Sequence, residues 1–106
     1  MITDAQLEAA LDYLRESAES CAKKRAERIY LDEFTRSLKA QIMSEHLAET
    51  LGAQERHAYG DMKYRNHLEA LKIAVYEDEK GRFLREAAEA KIRAWQTQQA
   101  NERGKL

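Results

Sequence analysis

The chain has 106 residues, 43% apolar and 35% charged, with four Gly, no Pro, one Cys and a formal net charge of −1. Such a length suits one domain, the charged fraction exceeds the ~25% of an ordinary globular chain, and scarce Gly and Pro argue against an all-β or loop-rich fold. One cysteine excludes an intramolecular disulfide and a Cys-based zinc cage, no apolar run reaches the ~18 residues of a membrane span, and a start carrying Asp4 and Glu8 is not a secretory signal.

The first helix opens at Thr3, which Gln6 follows at the spacing of a capping box. Asp4 and Glu8 put negative charge where the helix dipole favours it. Neither Gly nor Pro occurs from there to Thr50. Apolar residues recur mostly in steps of three and four: Leu7, Leu11, Leu14, Ala18, Cys21 and Ala22, then Ile29, Tyr30, Phe34, Leu38 and Ile42. The stripe breaks at Lys23, Lys24 and Arg25 and resumes on a rotated face. The pattern predicts one helix over residues 3–50, bent near 22–28, on the order of 70 Å long.

Gly52 is the strongest stop signal, a candidate left-handed C-cap. Residues 53–59, AQERHAY, suit a short helix or a turn, and Gly60 then Asp61 reads as a break followed by an N-cap. Residues 51–61 are therefore expected to be the connecting turn that reverses the chain.

A second helix is expected over 62–102, first through Tyr64, Leu68, Leu71 and Val75, then, after EDEKGR, through Leu84, Ala88, Ile92 and Trp95. Gly81 costs ~1 kcal/mol relative to Ala there, and marks a kink, a close helix approach or a tolerated weak point. Residues 103–106 are expected to fray. The fold class is all-α, a long antiparallel helical hairpin within one domain spanning 1–106. One seam buries too little for a small domain, so the expectation is a homo-oligomer, a dimeric helical bundle, or else a partner that covers the open face.

The net charge hides an asymmetry. Residues 1–52 hold seven basic and ten acidic side chains, whereas from Lys80 onward there are seven basic and three acidic. Two basic clusters result: Arg85, Lys91, Arg93 and Arg103 around Trp95 and Gln99, and Lys23, Lys24, Arg25 and Arg28. Such clusters can neutralise phosphates, and an aromatic ring beside Arg can stack on a base or anchor a protein interface. The plainer reading is solvated helix faces with i, i+4 pairs, Glu19 with Lys23, Asp32 with Arg36 and Glu89 with Arg93, and Trp95 simply ending the core stripe.

Nothing in the sequence spells catalysis. His46, His57 and His67 share no i, i+4 spacing, although His46 lies near Glu45 and Glu49, and His57 near Glu55. Surface or helix-end histidines explain them more simply than a metal site. There is no phosphate-binding glycine loop and no nucleophile elbow. Cys21 sits on the apolar stripe as a small packed side chain. No cofactor, metal or small-molecule substrate is expected, and the chain is read as a non-enzyme.

Three stretches, YLDEFTRSLKAQIM at 30–43, LGAQERHAYG at 51–60 and EAKIRAWQTQQANER at 89–103, resemble in that order a group of small helical proteins of tailed bacteriophages and prophages. Their genes lie among early genes for recombination and single-strand DNA handling. The resemblance implies a phage accessory or adaptor protein in the bacterial cytoplasm, bound to a phage or host DNA-processing protein. It assigns no residue a role. The mildly acidic whole is not that of an independent DNA binder, so contact with single-stranded DNA through the basic C-terminal half would be secondary. Two other readings remain. One is an inhibitor of a host defence or repair enzyme, using the acidic Asp32, Glu33, Glu77, Asp78 and Glu79. The other is a purely structural oligomerisation module.

Overall fold

The computed structural model describes residues 1–105, which form three helices and no strand: α1 (Asp4–Ser44), α2 (Leu51–Gly60) and α3 (Met62–Gly104). The all-α class follows directly. The capping box at the start is formed: the Gln6 amide donates to Thr3 Oγ1 at 3.1 Å, and the Thr3 amide donates to Gln6 Oε1 at 2.9 Å. α1 then runs without interruption through 22–28.

Three boundaries differ from those expected. The first helix stops at Ser44, not near 50. The turn occupies 45–50, held by the Glu45, His46 and Glu49 amides donating to Ile42, Met43 and His46 carbonyls at 3.1, 3.0 and 3.0 Å. Residues 51–60, expected to be the connecting turn, are the helix α2, the short-helix alternative for 53–59 extended to Leu51–Gly60. Thr50 starts it, extended at φ −64° and ψ 158°, its hydroxyl accepting from the Ala53 amide. Gly52 therefore lies in a first helical turn rather than closing a helix, and no described glycine has a positive φ. At the other end α3 continues to Gly104, so residues 103 and 104 of the expected frayed tail are helical, while Leu106 lies outside the described residues.

By packing, the chain divides into two compact units: Met1–Lys23 with the chain from Glu79 onward, and Lys24–Asp78. The division falls where the apolar stripe of the sequence breaks.

In the first unit, the inward side of α1 carries Leu7, Ala10, Leu14, Ser17 and Cys21, and that of α3 carries Gly81, Arg85, Ala88, Ile92, Trp95 and Gln99. Both sets alternate steps of three and four, the 3.5-residue repeat of a coiled-coil seam. The two segments run antiparallel. Ile2 and Gln98 exchange hydrogen bonds at one end (2.7 and 3.1 Å), while at the other a Cβ on Gly81 would stand 3.3 Å from Cys21 Sγ. Of the sequence readings of Gly81, the close helix approach is the one observed. Ala10 and Ala88 are buried, so small side chains line this seam.

In the second unit the repeat continues on α1 with Arg28, Leu31, Thr35, Leu38 and Ile42, and on α3 with Tyr64, His67, Leu71, Ala74 and Asp78. Leu38, Ile42 and Ala58 form its core, with Phe34, Met43 and Tyr64 packed around them. Ile42 is the one large apolar side chain buried to 1% exposure, a burial worth roughly 1.5–3 kcal/mol. Through Ala58, α2 closes over this end of the helix pair.

Candidate functional site

The structure separates the C-terminal basic residues by role. Arg85 is half-buried in the first unit's seam, where its guanidinium donates to the Leu14 carbonyl at 3.0 Å and to Ser17 Oγ at 2.9 Å. Its donors serve the fold. Trp95 is half-buried at a seam position, and its indole N–H donates to Asp4 Oδ1 at 3.2 Å. Gln99 is also half-buried, and its carbonyl accepts from Arg103 Nε at 3.4 Å. Lys91, Arg93 and Arg103 are exposed on α3. Of the expected contact set, then, only these three cations stand in solvent.

The second basic cluster is engaged with carboxylates. Lys23 pairs with Glu19 at 3.2 Å, Lys24 with Glu77 at 3.5 Å and Arg28 with Asp78 at 3.0 Å. Arg25 is exposed. The expected i, i+4 pair of Glu19 with Lys23 is present, whereas the ion pairs of the described residues do not include Asp32 with Arg36 or Glu89 with Arg93. The acidic run is likewise taken up: Glu77 and Asp78 face α1, and Glu79 pairs with Arg82. The Glu79 carboxylate holds the Arg82 guanidinium above its ordinary pKa, by hydrogen bond first and by charge second.

A constellation the sequence did not bring together lies in the second unit, where the 45–50 turn meets α2. Glu49 Oε2 stands 3.1 Å from His46 Nδ1 and 2.8 Å from His57 Nε2. The two imidazoles are stacked, with centroids 3.8 Å apart and planes 3° from parallel. One donor atom from each of the three residues falls within 4.8 Å of the other two. Backbone bonds fix the carriers. The Glu49 amide donates to the His46 carbonyl, Gln54 Nε2 donates to the Glu49 carbonyl at 3.0 Å, and Thr50 caps the helix that carries His57. The sequence put His46 near Glu49 but grouped His57 with Glu55. The signal that joins them, His46–x2–Glu49–x7–His57, acquires meaning only once 45–50 is known to be the turn.

Close by along α2, Tyr59 meets Tyr64 edge to face at 5.6 Å and accepts a hydrogen bond from Lys39 Nζ at 2.8 Å. That hydrogen bond is the main cause holding the Lys39 ammonium above its ordinary pKa. No helix of the described residues is long and apolar enough to cross a membrane. Compared with protein-family models, curated proteins and solved structures, the chain matches none.

Proposed function

We propose that this protein is a non-enzymatic accessory or adaptor that acts by protein–protein contact, in the setting the sequence resemblance implies: phage DNA recombination or replication in the bacterial cytoplasm. One observation carries the contact role. Helix pairing leaves large apolar side chains uncovered in both units, Leu11, Phe83 and Leu84 in the first and Ile29, Tyr30, Ile73 and Tyr76 in the second. Singly such residues are ordinary surface; where they adjoin, as Ile73 and Tyr76 do one turn apart on α3, they form the kind of apolar patch that meets other proteins. Contact with single-stranded DNA falls to Lys91, Arg93 and Arg103, since Arg85 and Trp95 already bond within the chain. The inhibitor reading loses support, because three of its five carboxylates are paired internally.

The test is site-specific photocrosslinking in infected cells, with a photoreactive amino acid replacing Tyr76 or Phe83. The expected product is an adduct with a DNA-processing protein at one of these positions at least, suppressed when Ile73→Glu or Leu84→Glu adds charge beside it. Adducts with a second copy of the chain alone, or no adduct at either position, would overturn the adaptor reading.

A further inference from the structure

We propose that His46, Glu49 and His57 form a binding site for a divalent transition-metal ion, with Zn²⁺ the ion that best fits the donors. Imidazole nitrogen and carboxylate oxygen are the donors of zinc sites, and two His with one Glu is a recognised three-ligand set that leaves a fourth position to water. The spacing agrees. Donors around a tetrahedral zinc, at bonds of ~2.0–2.1 Å, stand about 3.3 Å apart. Here the carboxylate oxygen lies 3.1 and 2.8 Å from the two nitrogens. An ion takes up the imidazole nitrogens and the carboxylate oxygen in their deprotonated form.

Two features set this triad apart from a chance surface cluster. Its members come from separate elements, the turn and α2, so their convergence is produced by the fold and not by one helix's spacing. Their backbones are also fixed before any ion arrives, by the turn bonds at His46 and Glu49, the Gln54 clamp and the Thr50 cap. One adjustment is required. Nitrogen lone pairs lie in the ring planes, and parallel stacked rings do not aim them at a common point. One imidazole must rotate about its terminal torsion and open the stack. The His46 side chain is 31% exposed and that of His57 44%, which leaves room for that rotation. Once bound, the ion ties the 45–50 turn to α2 and so holds α2 against the end of α1.

The experiment uses the full, tag-free chain. Zn²⁺ is titrated in competition with a chromogenic chelator, and Co²⁺ serves as a spectroscopic probe. Expected are one ion per chain and a Co²⁺ visible spectrum of low coordination number. Losing an outer-shell partner typically costs ~10–100-fold in metal affinity, so loss of a direct ligand in His46→Gln, Glu49→Gln or His57→Gln should weaken binding at least tenfold. Cys21→Ser, which removes the one thiol, should leave binding unchanged. Absence of stoichiometric binding, or affinity indifferent to both histidine variants, would overturn the site. Should a variant lose helicity by circular dichroism, the unaltered protein decides. On Zn²⁺ addition the imidazole NMR signals of His46 and His57 should move while that of His67 stays; equal shifts in all three, or none, would overturn the proposal.

Discussion

Thr35 is the polar partner of His67. The Thr35 hydroxyl lies 3.1 Å from the Leu31 carbonyl. The same oxygen shares a hydrogen bond with His67 Nε2 at 2.7 Å. The His67 side chain is 8% exposed and edged by the Phe34 ring at 5.6 Å. A buried polar atom without a partner costs ~1–3 kcal/mol. Thr35→Val is accordingly expected to destabilise by that amount in chemical denaturation, and pairing it with His67→Leu should recover much of the loss. A double variant no better than Thr35→Val alone would show that the hydrogen bond is not what holds the pair. Neither residue was legible as a seam residue from the sequence. Helical periodicity shows in a sequence through its apolar side chains, and a Thr–His pair joined by its own hydrogen bond carries no hydropathy signal. His46, Glu49 and His57 were missed for a related reason, since residues on different elements meet only when the turn between them is placed correctly.

Asp61 shows how one residue joins two elements. Its amide donates to the Ala58 carbonyl at 3.2 Å and closes α2, while its carboxylate accepts from the Lys63 amide at 2.7 Å and its carbonyl from the Arg65 amide at 3.1 Å to open α3. This cap was readable, because a short acceptor side chain after a break and before an apolar-periodic run is a direct signal. Asp61→Ala removes the cap and is expected to cost ~1 kcal/mol, and Asp61→Gly only a few tenths. Asp61→Asn, which keeps an acceptor oxygen, should lose little, and a loss in Asp61→Asn equal to that in Asp61→Ala would mean that the side-chain oxygen contributes little. The end of α1 was not readable. EHLAET at 45–50 has neither Gly nor Pro, and the helix stops because Thr50 begins another, while Gly52, the conspicuous breaker, costs little in a first turn. The 3.5-residue repeat was likewise obscured. Ser17, Arg28, Asp78 and Arg85 occupy seam positions, and they are tolerated there because Arg85 bonds to α1 at Leu14 and Ser17, and Arg28 pairs with Asp78.

At the scale of the molecule, the helical class and the poverty of the core were both legible. Among the described residues the buried apolar set is Ala10, Leu38, Ile42, Ala58, Ala74 and Ala88, four of the six being alanine. A fully buried Leu or Ile contributes roughly 1.5–3 kcal/mol, and an alanine far less. Chain entropy of ~1–2 kcal/mol per ordered residue stands against this, and the uncovered Leu11, Ile29 and Tyr30 on α1 are an apolar reserve apart from the α3 positions assigned to the partner. Self-association that covers part of them would supply the missing burial, as in helical bundles assembled from hairpins. The expected mass by light scattering is therefore twice the 12.3 kDa of the chain. A folded state stabilised by association also gains stability with protein concentration, whereas a monomer does not. The thermal midpoint should rise as the protein is concentrated, and Leu11→Glu or Tyr30→Glu should lower the midpoint and flatten that dependence. A midpoint independent of concentration, together with a monomeric mass, would place the stability of the chain in its two narrow seams alone.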